Sequence, residues 1–242
     1  METKWIDVTT ADGPMHAYLA EPGGAGLYPG IVVVQEAFGV NEYVRSVVDR
    51  LADAGYVALA PELYHRTGKH IEIAYDQREG VLEILSKIDN NAVSEDIGSA
   101  VAAVRARPDV DPKRIGIIGF CMGGFATILG GLTTAAAAIV AFYPGGLVNV
   151  RPQFKLRPLV DRIHTMRAAT LCIYGADDHG IPEADINAVR EALAKSPSRH
   201  RVTVYPNAGH GFHSYDRAGA YAPVAAEKAW HETLDWFATN LA

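Results

Sequence analysis

Cys121 sits in the stretch Gly119-Phe120-Cys121-Met122-Gly123-Gly124, between the apolar run 114–119 and the small-residue run 125–131. A thiol between a strand and a helix, with glycine two residues to either side, has a mechanical reading. A nucleophile on such a sharp turn projects above the sheet in a backbone conformation that is strained for a side chain. Its neighbours must be small so that strand and helix can cross closely. The helix that follows aims its free N–H groups and the positive end of its dipole at the sulfur, which favours a thiolate and later an oxyanion. The pattern is G-x-S-x-G with cysteine in place of serine.

A thiol needs activation. Its ordinary pKa of about 8.5 leaves only a few per cent as thiolate at neutral pH, and a histidine or a helix N-terminus lowers it. Downstream lie a carboxylate pair, Asp177 and Asp178, after the apolar run 169–175, and His210 between two glycines after the run 200–206. His210 is the candidate base, with Asp178 bonding its other ring nitrogen. The oxyanion of an acyl-transfer intermediate needs two donors. The backbone N–H of Met122 is one, and the loop after residues 31–34 supplies the other, at Ala37.

These residues need a scaffold that gathers their loops. Residues 31–34, 56–61, 114–119, 137–144, 169–175 and 200–206 read as strands, mostly continuous apolar runs. Helical periodicity marks a segment from Val44 to a stop at Gly55, then 72–89, 92–106, 123–132, 183–195 and 222–240. In the last, Ala226, Trp230, Thr233, Leu234 and Phe237 share a face. An N-terminal hairpin turns at Asp12-Gly13. Buried strands alternating with helices predict an α/β fold, a mostly parallel sheet with helices on both faces, in which ligands sit at the carboxyl ends of the strands. The 242 residues suit one α/β domain spanning 1–242.

Composition narrows the function. Twenty-two Lys and Arg face 28 Asp and Glu, a formal net charge of −6, with no basic block, so nucleic acid is not expected as a partner. The apolar runs are far too short to span a bilayer, so no membrane partner is expected. With no secretory leader and no disulfide framework, the expected compartment is the cytoplasm. Cys172, inside an apolar run, reads as a small core residue. Asp177, Asp178, His179, His210 and His213 form no recognisable metal-ligand spacing, and the chemistry sketched above needs neither metal nor cofactor.

The segments VVQEAFGVNEYVRSVVDRLADAGYVALAPELY (33–64), GFCMGG, GADDHGIP (175–182) and AGHGF (208–212) together resemble dienelactone hydrolases, α/β-hydrolases that open enol lactones with a Cys-His-Asp triad. The resemblance runs from about residue 15 to 240. It implies a nucleophile at Cys121, a base at His210 and an orienting acid at Asp178, which stands four residues before Pro182 as the family's acid does. It implies a catalytic role for Glu36, whose counterpart contacts the resting thiol and moves when substrate binds; such a carboxyl needs a pKa raised by burial. It also implies that Arg78 holds a substrate carboxylate, with Phe38 and Leu82 against the substrate. Three features depart from the pattern. Ser214 stands where a second arginine is expected, Leu82 and Leu85 replace aromatic residues, and 145–166 is longer than the family's segment. Arg217, His213 or a residue of the long segment are the candidates to compensate.

The expected activity is therefore cleavage of a small-molecule lactone or carboxylic ester through an acyl-thioester. Two alternatives stand beside it: a promiscuous esterase acting on neutral activated esters, and a non-catalytic thiol-sensing or binding protein on the same fold.

Overall fold

The unbroken apolar run Ile31–Val34 has side chains pointing both ways, so it needs cover on two faces. In the computed structural model, which describes residues 1–242, it lies mid-sheet in β3 (Tyr28–Val34). The eight strands are β1 (Glu2–Thr10), β2 (Gly13–Glu21), β3, β4 (Val57–Pro61), β5 (Val110–Phe120), β6 (Ala138–Phe142), β7 (Ala169–Gly175) and β8 (His200–Tyr205). Their spatial order is β1-β2-β4-β3-β5-β6-β7-β8. The β1–β2 hairpin and the β2–β4 pair are antiparallel, and every pair from β4–β3 to β7–β8 is parallel. The α/β fold expected from the sequence is thus the fold observed.

The helices are α1 (Glu42–Asp53), α2 (Arg78–Leu85), α3 (Asn90–Arg105), α4 (Met122–Thr133), the short α5 (Val160–Ile163), α6 (Glu183–Ala194) and α7 (Pro223–Asn240). Successive residues of β5 show the two-sided cover. Gly116 faces Phe237 of α7, whereas Ile117 faces Gly130 of α4. On the α7 side, Arg50 of α1 lies over Trp230. Asn41 caps α1, its Oδ1 accepting the Val44 N–H at 3.1 Å, and Asp89 caps α3 through the N–H groups of Asn91 and Ala92. No helix is long and apolar enough to cross a membrane.

The helix expected over 72–89 is only Arg78–Leu85. Residues 72–77 are drawn away from helical geometry by tertiary bonds. The Ile73 N–H donates to Phe38 O at 3.1 Å, Arg45 bonds Glu72, and Tyr75 joins Asn41 to Asp216. β5 begins at Val110 rather than 114, pairing with Tyr28 before a register irregularity. α5, inside the long segment 145–166, carries too few residues to show a period.

Candidate active site

β5 ends at Phe120 and α4 begins at Met122, leaving Cys121 alone at the turn with φ 57° and ψ −116°. That is a left-handed conformation that costs a non-glycine residue about 1–3 kcal/mol. The turn is held from both sides: the Cys121 N–H donates to Phe142 O at 3.1 Å, and the Phe125 N–H to Cys121 O at 3.2 Å. The flanking glycines permit the crossing. A Cβ on Gly119 would lie 2.2 Å from Gly123 O, and one on Gly123 would lie 2.3 Å from Val34 O. Cys172 differs in every respect, fully buried in β7 with burial pushing its thiol up to about 12.

His210 reaches back over the turn from the loop after β8. Its Nε2 lies 3.0 Å from Cys121 Sγ, and its Nδ1–H donates to Asp178 Oδ2 at 2.7 Å. Asp178 is buried, and its Oδ1 accepts the Gly180 N–H at 2.8 Å. Asp177 is exposed, so burial and the bond to His210 both separate the two neighbouring carboxylates. Desolvation works against a charged His210, but the sulfur of Cys121 and the carboxylate of Asp178 outweigh it and raise its pKa to about 10. Among the five residues weighed as metal ligands, Asp177 and His179 face solvent. His213 is buried between Phe120, Phe142 and Trp230, with its Nδ1 on the Tyr43 hydroxyl at 2.6 Å. The five do not converge.

Glu36 is fully buried beneath the same site. Tyr143 donates to its Oε1 at 3.4 Å and Ser214 to its Oε2 at 3.1 Å. Burial raises its pKa, opposed in part by the cations of Arg217 and His210 and by those two bonds. The resemblance places this carboxylate against the resting thiol. Here its oxygens are occupied by Tyr143 and Ser214, and the thiol's partner is His210. Ser214, the residue in place of an expected arginine, therefore has a bond of its own. Tyr143, which composition and spacing did not single out, has a left-handed φ of 36° and donates its N–H to Ile173 O at 2.6 Å.

Cys121 and His210 open into a cavity of about 190 Å³. Ala37 and Met122 line it beside the sulfur, and the Tyr64 hydroxyl donates to Ala37 O at 3.0 Å, fixing that loop. Phe38, Val81, Leu85, Phe125, Phe154 and Leu156 make the apolar walls. No carboxylate lines the cavity, yet two guanidiniums do, Arg151 and Arg217, neither in an ion pair. Arg151 folds over Gly145 and bonds Gly180 O at 3.3 Å; Arg217 lies over the Phe38 ring, 5.4 Å from its centroid.

Arg78 and Leu82, expected against the substrate, do not line this cavity. Arg78 is exposed and Leu82 is 47 % exposed. Because α2 starts only at Arg78, its inward face is carried by Val81 and Leu85 instead. The cations come from elsewhere. Arg217 stands seven residues beyond His210, and Arg151, Phe154 and Leu156 come from the long segment 145–166, whose only sequence signal was its length.

The profile of the dienelactone hydrolase family matches residues 15–241. A provisionally named carboxymethylenebutenolidase of Synechocystis sp. is 32% identical over 243 residues, covering 100% of this chain and 98% of its own length. Another, of Methylorubrum extorquens, is 38% identical, covering 96% of this chain and 79% of its own. The crystal structure of a provisionally named dienelactone hydrolase from Klebsiella pneumoniae superposes with a TM-score of 0.88 at 33% identity, covering 98% of each chain. With the sheet order, the elbow at Cys121 and these matches in place, the chain belongs to the dienelactone hydrolase family and is a hydrolase on the α/β-hydrolase fold.

Proposed function

We propose that the chain hydrolyses a lactone or carboxylic ester bearing an anionic group, with Cys121, His210 and Asp178 as a catalytic triad. The observation that carries this is the unbroken series from Asp178 Oδ2 through His210 to Cys121 Sγ, on a strained turn that opens into the cavity. The Cys121 thiolate attacks the acyl carbon, and the carbonyl π pair moves onto oxygen. The Met122 N–H, at the first residue of α4 with no intrahelical acceptor, and the Ala37 N–H receive that oxyanion. The tetrahedral adduct collapses, breaking the C–O bond, and His210 gives its Nε2 proton to the leaving oxygen. A thioester remains. Water, deprotonated by His210, attacks it; the thiolate leaves and the free acid departs.

Glu36 serves this sequence as a positioning residue: a buried carboxyl, its pKa raised by desolvation, that accepts from Tyr143 and Ser214 and ties them together under the oxyanion loop. The apolar walls suit an unsaturated or aromatic body, and the unpaired Arg151 and Arg217 suit a carboxylate on it.

A matched panel of acidic lactones or esters and their neutral analogues tests the reading. Cys121→Ala is expected to abolish turnover of both sets. Arg217→Gln and Arg151→Gln should raise KM about tenfold or more for acidic substrates and leave neutral ones within about twofold. Equal effects on both sets contradict the anionic anchor and favour the neutral-ester alternative. Retained turnover in Cys121→Ala contradicts the triad.

A further inference from the structure

A second cavity, of about 360 Å³, shares no lining residue with the one at Cys121. It lies between the end of α1, the loop after His210 and the first turns of α7, and Arg50, His213, Tyr215, Tyr221, Pro223 and Glu227 line it. His213 is only 3 % exposed. Its Nδ1 lies 2.6 Å from the Tyr43 hydroxyl; with that hydroxyl donating to Nδ1, the neutral ring carries its own proton on Nε2. Burial first, then the cation of Arg50, hold its pKa down to about 3, so it stays neutral and Nε2–H remains a donor. That nitrogen has no protein partner, and the ring contributes to the cavity wall.

Arg50 is the second donor. Its guanidinium lies over the Trp230 ring, 4.0 Å from the centroid, with no carboxylate within ion-pairing distance. Desolvation pushes its pKa below the ordinary value, the mark of a cation lacking a counter-charge. Tyr215 and Tyr221, 44% and 42% exposed, supply flat apolar flanks. Glu227, exposed to solvent and also lining the space, repels a dianion about twice as strongly as a monoanion and so favours the lower charge.

We propose that this cavity is a second ligand site, taking a small monocarboxylate with a flat apolar body. The carboxylate would accept from Arg50 and from His213 Nε2–H, and the body would rest between Tyr215, Tyr221 and Pro223. Nothing in the hydrolytic cycle uses these groups, so the site stands or falls independently of the triad.

Tryptophan emission of the full chain reads occupancy, because Trp230 lies directly under Arg50 and no tryptophan lines the substrate cavity. Benzoate, acetate and inorganic phosphate serve as probes at neutral pH. The expected result is a saturable change with benzoate, weaker binding of acetate and weakest binding of phosphate. Arg50→Gln should weaken benzoate about tenfold or more while ester turnover shows the fold intact. Arg50→Lys, which keeps the charge but loses the planar fork, should fall between, and Arg217→Gln should leave the benzoate-induced change in tryptophan emission as it is in the wild type. The proposal is overturned by no saturable benzoate response, by a response that survives Arg50→Gln, by one that disappears in Arg217→Gln, or by phosphate binding more tightly than benzoate.

Discussion

His210 is the residue on which charge and geometry meet. Its raised pKa, about 10, comes from the Cys121 sulfur and the Asp178 carboxylate acting against burial. The imidazolium therefore persists well above the ordinary histidine range of about 6.5 and is lost as pH rises through about 10. In Asp178→Asn one of the two raising groups is gone and the tautomer is no longer fixed. The alkaline limb of kcat/KM is expected to move to lower pH and kcat to fall about 10²–10⁴-fold. An unchanged limb would show that Asp178 does not act through His210. Glu36 answers to a different measurement. As a buried group that accepts from Tyr143 and Ser214, it acts by position, so Glu36→Gln, which keeps one acceptor oxygen and the shape, should keep kcat within about tenfold with the pH profile unmoved. A loss as large as that of Cys121→Ala would make it a proton acceptor for the thiol.

Much at this scale was legible in the residues, because a nucleophile on a tight turn imposes Gly119 and Gly123 on the sequence itself. The choice between Asp177 and Asp178 followed from the resemblance, and burial now separates the two. Tyr143 was not legible: nothing in its flanking residues foretells a left-handed φ or a bond to Glu36, which stands 107 positions away.

At the scale of elements, the carboxyl ends of β3, β5, β7 and β8 deliver Ala37, Cys121, Asp178 and His210. Their runs were readable because two-sided burial demands continuous apolar sequence. The stretch 72–77 was misread because its apolar spacing fits a helix, while bonds to Phe38, Asn41 and Asp216 hold it otherwise. The resemblance places Arg78 and Leu82 against the substrate, whereas α2 turns Val81 and Leu85 into the cavity at Cys121. The loop between β8 and α7 also carries a stability cost. His213 is held neutral inside it, with a folded pKa of about 3 against about 6.5 unfolded. The unfolded chain thus binds more protons between those values. Its share of stability is complete above about pH 6.5 and declines as pH falls toward 3. Denaturant unfolding at pH 7 and pH 5 should show the wild type losing stability on acidification and His213→Gln losing clearly less. Parallel losses in the two would remove His213 as a cause.

For the molecule as a whole, a chain of net charge −6 keeps the cavity at Cys121 free of carboxylates and puts two unpaired guanidiniums in its wall. The segment 145–166 closes that cavity with Arg151, Phe154 and Leu156, a placement that sequence spacing could not supply because the segment has no period and its partners are distant in the chain. Family and fold follow from the matches and the sheet; the chemistry turns on whether Cys121 becomes acylated. Intact-protein and peptide mass spectrometry after brief exposure to an activated ester tests this most directly. The account predicts an acyl adduct on Cys121 that decays as free acid appears, persists longer in Asp178→Asn and is absent from Cys121→Ala. Turnover with no adduct on Cys121, or an adduct elsewhere with Cys121→Ala still active, would contradict it.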